Sequence, residues 1–141
     1  MKFWDELEGL IQDVPLGEKI FLGGDLNGHV GSVSRGFEGL HGGYGLGEIN
    51  AEGKSILDFS PAFDLTIGNT CFRKREEHLI TYKSGVSCSQ IDFFLIRKSD
   101  RKICLDCKVI PRESLTIQHR VMVIDVRVKR RAKNQVVAFK E

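Results

Sequence analysis

Several things are missing from this chain of 141 residues, and each absence narrows what it can be. No run of apolar residues approaches the length of about 20 needed to cross a bilayer. The amino end, Met1-Lys2-Phe3-Trp4-Asp5-Glu6, lacks the apolar core of a secretion signal. The expectation is therefore an intracellular protein, nuclear or cytoplasmic, without a membrane and not secreted. An excess of one charge is missing too: 21 basic residues against 19 acidic leave only +2, so the total makes no argument for a nucleic-acid partner and the distribution has to carry it. A second paired cysteine motif is also absent. Cys104-x-x-Cys107 is half of a zinc site, but in a strand residues three apart point to opposite faces. With Cys71 and Cys88, the pattern reads as reduced, partly buried thiols. Internal repeats and low-complexity segments are lacking as well.

What is present is a single domain's worth of alternating signals. Phe3, Leu7, Leu10, Ile11 and Val14 recur at helical spacing, so residues 2–13 predict an amphipathic helix ended by Pro15 and Gly17. A strand over residues 19–23 follows. From Gly28 to Gly53 nine glycines break any period, which calls for a long irregular loop. Ile56, Leu57, Phe59 and Phe63 suit a short helix disturbed by Pro61. Strands are expected at Leu65–Ile67 and residues 79–82, 91–96, Cys104–Ile110 and 120–128, with Gly85 marking a hairpin connection. Trp4 and Tyr82 read as packing residues, and His29, His41 and His78 as solvated loop histidines without a role.

Three stretches carry candidate chemistry. Ile20-Phe21-Leu22-Gly23-Gly24-Asp25-Leu26-Asn27 is a strand that delivers a carboxylate to its own exit. Asp25 and Asn27 lie two apart and share a side if the backbone stays extended. An Asx turn that simply closes the strand is the structural alternative. Ser89-Gln90-Ile91-Asp92-Phe93-Phe94-Leu95-Ile96 is a strand with an acid in its first half, and Gln118-His119-Arg120-Val121 opens another with a histidine. Asp92 could cap a strand, and His119 could be a surface residue.

In this order the motifs resemble the endonuclease/exonuclease/phosphatase superfamily, whose late motifs read Gly-Asp-x-Asn, Ile-Asp-Tyr/Phe-x-Leu and Ser-Asp-His. They look most like the endonuclease domains of LINE-type retrotransposons and the related craniofacial development protein 2 group. The resemblance implies a Mg2+-dependent endonuclease acting on DNA. It makes Asp25 the general acid/base facing the attacking water, Asn27 its partner, and Asp92 the acceptor that orients His119 toward the scissile phosphate. Asn69, Arg73, Lys74 and Arg75 would bind substrate, and Thr81-Tyr82 stands where the family often packs a Thr-Trp pair behind the site.

The resemblance also implies a fold: one half of a two-sheet α/β sandwich of α+β type, a mainly antiparallel sheet with helices on one face. Residues 1–128 would be this carboxyl-terminal half-domain, and residues 129–141, with Lys129, Arg130, Arg131 and Lys133, a basic tail. The family's early asparagine, glutamate and tyrosine have no counterpart. Gln118 stands where the metal-site aspartate belongs, and an amide holds a hard cation more weakly than a carboxylate. The expectation is therefore an inactive or strongly impaired nuclease, doubtful in its Mg2+ binding. The alternative is a catalytically silent, retrotransposon-derived remnant that binds or self-associates, as a homodimer, through the sheet face the missing half would cover.

Overall fold

The computed structural model describes residues 2–111, 118–127 and 134–139. It is an α+β fold built on a four-stranded sheet of order β2-β5-β1-β9, where β1 is Lys19–Asp25, β2 Leu65–Ile67, β5 Asp92–Arg97 and β9 Asn134–Phe139. β5 runs antiparallel to both β1 and β2, whereas β9 runs parallel to β1. The sequence reading assigned residues 134–139 to the basic tail; they instead form the edge strand β9. Lys129, Arg130, Arg131 and Lys133 lie outside the described residues.

Two helices cover one face of this sheet. α1 (Lys2–Gln12) and α2 (Ala51–Phe59) bring Trp4, Leu7, Ile56 and Leu57 onto Ile20, Leu22, Leu65, Ile67, Phe93 and Leu95. The alternation of β1 explains the division, since Ile20 and Leu22 face the helices and Phe21 faces away. Trp4 stacks on Phe59 with ring centroids 5.3 Å apart and on Phe63 at 6.4 Å, so its packing role holds. α2 starts where Asn50 caps it, its side-chain oxygen accepting the Gly53 N–H at 2.8 Å. The same oxygen accepts the His29 N–H at 2.9 Å and ties the glycine-rich loop to the helix.

The opposite face is partly covered by a hairpin of β6 (Cys104–Ile110) and β8 (Val121–Val126). Cys104, Ile124 and Val126 pack there on Phe21 and Ile96, with Phe72 and Ile103. The last strand expected from the sequence thus packs away from the helices. Ile124 and Val126 meet the other face of the sheet, while Val121 on the outer side is 51% exposed.

A third, three-stranded sheet of order β4-β3-β7 comprises β3 (Tyr82–Ser84), β4 (Ser87–Ser89) and β7 (Gln118–His119). Gly85, at φ +59°, makes the turn between β3 and β4. The strand expected at 79–82 starts only at Tyr82, because the N–H groups of Leu79 and Ile80 turn back onto the Glu76 carbonyl. The strand expected at 120–128 is split: β7 pairs with β3, the Arg120 N–H adding one more bond to the Thr81 carbonyl at 2.7 Å, whereas β8 pairs with β6.

The argument that Cys104 and Cys107 point apart fails for a reason of the same kind. A register irregularity between Cys104 and Asp106 adds a residue to the strand, so both thiols face inward, at 3% and 1% exposure. Burial pushes the Cys104 thiol up to about 11 and raises the Cys107 thiol further. Both therefore stay protonated at neutral pH, the form least suited to metal binding.

Candidate active site

The motif residues meet at one end of the central sheet. Asp25 ends β1 and Asp92 begins β5, and the antiparallel register places them directly opposite each other. β7 brings His119 in from the neighbouring sheet, opposite Tyr82 of β3. The Asp92 carboxylate accepts from His119 Nδ1 with both oxygens, at 3.0 and 2.9 Å. This leaves Nε2 turned toward Asp25, 3.7 Å from its Oδ2. That gap is too long for a direct hydrogen bond, and it is the spacing across which a water or a phosphoryl oxygen can touch both groups. The imidazole is half exposed, whereas both carboxylates are largely enclosed. Burial raises the Asp92 carboxyl above its usual range, with Asp25 adding to the rise; hydrogen bonds from His119 and Thr81 oppose it.

Asn27 is placed differently from the sequence argument. Its φ of +49° takes it out of the extended conformation, and its N–H donates to Asp25 Oδ1 at 2.7 Å. The Asx turn is therefore real, and it coexists with the site: it orients the Asp25 carboxylate through Oδ1 and frees Oδ2 to face His119. The Asn27 side chain is exposed at the rim.

Of the four residues expected to bind substrate, two are committed elsewhere. Asn69 is 3% exposed; its amide donates to the Asp92 carbonyl at 3.3 Å and accepts from the Phe94 N–H at 2.7 Å, which fixes β5 beside the site. Lys74 pairs with Asp106 at 2.7 Å. Arg73 and Arg75 are exposed and form no ion pair with a described residue. Gln118 has its backbone paired with Lys83 in β7, while its side chain lies outside what is described.

Two features escaped the sequence reading, the hydrogen bonding of Thr81 and the burial of His41, whereas Tyr82 packs as expected. Thr81, noted there only by its place in the family, is fully buried and accepts the N–H groups of Ile91 and Asp92 on its hydroxyl, at 3.0 and 3.1 Å. Tyr82 packs its ring against His119, centroids 4.8 Å apart, behind the imidazole. His41, read as a solvated loop residue, is 2% exposed and bridges the loop, its Nε2 donating to the Gly31 carbonyl and its Nδ1 accepting from the Gly43 N–H, each at 2.9 Å. A lone histidine among glycines gives no sequence signal for this burial.

Asp25, Asp92 and His119 are the one group of three or more potential metal ligands among the described residues, each offering an atom within 4.8 Å of the others. Their state does not suit Mg2+. Both Asp92 oxygens are taken by Nδ1, one Asp25 oxygen by the Asn27 N–H, and an imidazole is a poor partner for a hard cation that wants near-octahedral oxygen. What the arrangement can do unaided is move protons between two carboxylates and an oriented imidazole.

The chain is homologous to craniofacial development protein 2. Over 130 residues, 91% of its length, it is 30% identical to that protein from Tragulus javanicus and 29% identical to that from Bos taurus. It spans 22% of the length of these curated relatives. No family model matches the chain, and no solved structure matches it.

Proposed function

We propose that this chain carries the acid–base part of a phosphodiester-hydrolysing centre of the endonuclease/exonuclease/phosphatase type, with DNA as substrate and with strongly impaired turnover by itself. The observation that carries the reading is the bidentate Asp92–His119 contact, with Asp25 facing the free imidazole nitrogen at 3.7 Å. Asp92 accepts the Nδ1 proton and orients the ring, and in the imidazolium form Nε2 carries a second proton that it can donate to a phosphoryl oxygen. Asp25, held by its own Asx turn, takes the proton of the attacking water through Oδ2. Arg73 and Arg75, exposed and without an ion pair among the described residues, are suited to phosphate oxygens along the backbone.

The described donors do not by themselves make a Mg2+ site, so the proton transfers rest on the protein's own carboxylates and imidazole. The ion's usual contribution, neutralising charge on the phosphoryl oxygens, is not supplied by the described residues, which accounts for the expected impairment. A plasmid-nicking assay with Mg2+ tests the reading. Weak nicking that is lost in Asp25→Asn and His119→Ala supports it; no nicking by any form at high protein concentration, with or without Mg2+, removes it. A second reading, a silent self-associating module, is favoured by one observation, the exposed Ile110 and Val121 pair on the outer side of the β6–β8 hairpin.

A further inference from the structure

We infer that Thr81 is the positioning residue that assembles the Asp92–His119 pair, acting through both strands that bear it; the inference rests on the acid–base reading above. Asp92 and His119 are 27 residues apart and belong to different sheets. Thr81 sits between them just before β3 and makes polar contacts to both sides. Its hydroxyl oxygen accepts the Ile91 N–H at 3.0 Å and the Asp92 N–H at 3.1 Å. Its carbonyl accepts the Arg120 N–H at 2.7 Å, one residue beyond His119, and its own N–H donates to the Ser89 carbonyl at 2.9 Å.

Each contact has a geometric consequence. The two N–H groups received by the hydroxyl lie at the start of β5, where Ile91 and Asp92 leave the β3–β4 hairpin, so one oxygen sets the direction in which the Asp92 side chain departs. The Ile91 carbonyl meanwhile accepts the Leu26 N–H at 2.9 Å, which holds the Asp25 segment to the same point. On the other side, the bond from Arg120 extends the pairing of β7 with β3 by one residue and holds His119 opposite Tyr82, with its ring on the Asp92 carboxylate. The Thr81 hydroxyl also favours the ionised form of the Asp92 carboxyl against the penalty of burial. A valine has nearly the same shape but neither accepts nor donates, so it would strand two buried N–H groups and release the carboxylate.

Nuclear magnetic resonance on the intact chain tests this apart from any activity. In the unsubstituted protein the His119 Hδ1 proton, held by a carboxylate, should resonate far downfield, and the Thr81 hydroxyl proton should exchange slowly and show contacts to the Asp92 and Ile91 amides. Thr81→Val should lose the Hδ1 signal and make Asp92 titrate higher, while Thr81→Ser, which keeps the hydroxyl, should restore both. A Thr81→Val protein that keeps a folded amide spectrum, the Hδ1 signal and the original Asp92 titration would overturn the inference. Should Thr81→Val not fold, the unsubstituted protein decides: a Thr81 hydroxyl proton in fast exchange with solvent refutes the role. Nicking that is absent while these signals behave as expected sinks only the nuclease reading, and nicking that persists in Thr81→Val sinks only the inference.

Discussion

Arg97 shows how one side chain can terminate one element and hold another. At the end of β5 and only 9% exposed, its guanidinium donates to the carbonyls of Val14, Pro15, Leu16 and Glu18, at 2.7 to 3.5 Å. These carbonyls all belong to the segment between α1 and β1, so one guanidinium fastens that segment to the end of β5. A lysine cannot fork across four acceptors. Arg97→Met should therefore cost about 2–4 kcal/mol in urea denaturation, with Arg97→Lys recovering only part of it. Gln90 poses the reverse case. It is 3% exposed with neither carboxamide atom bonded to a described residue, and Gly45 is the neighbour whose added Cβ would lie 3.5 Å from its oxygen. An unpaired buried amide is a liability, so Gln90→Leu should leave stability unchanged or raise it by about 1 kcal/mol in the same experiment. A fall of that size would mean that the amide has a partner. At this scale the sequence disclosed the residues whose chemistry shows in their type and order: Asp25, Asp92 and His119. It did not disclose Thr81, Asn69 or His41, because a threonine, an asparagine or a histidine that spends its polar atoms on backbone groups looks in sequence like any other.

Among the elements, the loop from Gly28 to Asn50 is the most informative. It has no regular structure, yet it is fastened to the site's neighbourhood. Gly42 donates to Thr70 Oγ1 at 2.9 Å and Tyr44 to the Thr70 carbonyl at 3.1 Å, next to Asn69. Gly42 and Gly45 lie so near the backbone of Thr70 and Gly31 that no Cβ fits, which explains glycine at those positions better than flexibility does. His41 bolts this loop from within and must be neutral, since protonated Nδ1 could not accept from Gly43. Burial lowers its pKa below the ordinary value of about 6.5, with hydrogen bonding to the Gly31 and Val30 carbonyls opposing. The unfolded chain then binds more protons than the folded one between the lowered value and 6.5, so stability rises with pH across that window. The contribution is complete above pH ~6.5 and is lost as pH falls through the folded value. Hydrogen exchange at the Gly43 amide, corrected for its intrinsic rate, should quicken on acidification below that pH and lose this pH dependence in His41→Asn; unchanged protection would show that the histidine is not the bolt. The sequence made this segment a loop by its glycines but could not show that it was pinned. Likewise it read β1 as ending at the two glycines, whereas pairing with β5 carries the strand through them to Asp25. Gly23 is what lets the Phe94 ring lie across the strand, 2.8 Å from where a Cβ would stand.

For the whole molecule, the two faces of the central sheet set the terms. The helix face is closed by a core that the amphipathic pattern of α1 and the apolar run of β1 made legible in advance. The other face was expected to be left open, and the β6–β8 hairpin covers part of it, a long-range packing that no local pattern encodes. The hairpin transfers the problem outward. On its outer side the directly paired Ile110 and Val121 are 37% and 51% exposed, Leu105 is 49% exposed, and Lys108 and Asp125 flank them from neighbouring pairs. Apolar side chains bracketed by both charge signs can match a second copy about a two-fold axis, Lys108 of each facing Asp125 of the other. The chain should therefore dimerise through this surface at tens of micromolar, roughly where a standard-sized interface is already populated. Val121→Lys, an exposed change expected to alter stability by less than about 0.5 kcal/mol, should return it to monomer by bringing like charges together at the centre. Sedimentation equilibrium separates the outcomes. A monomer before the substitution refutes self-association, and a dimer that survives Val121→Lys places the contact on another face.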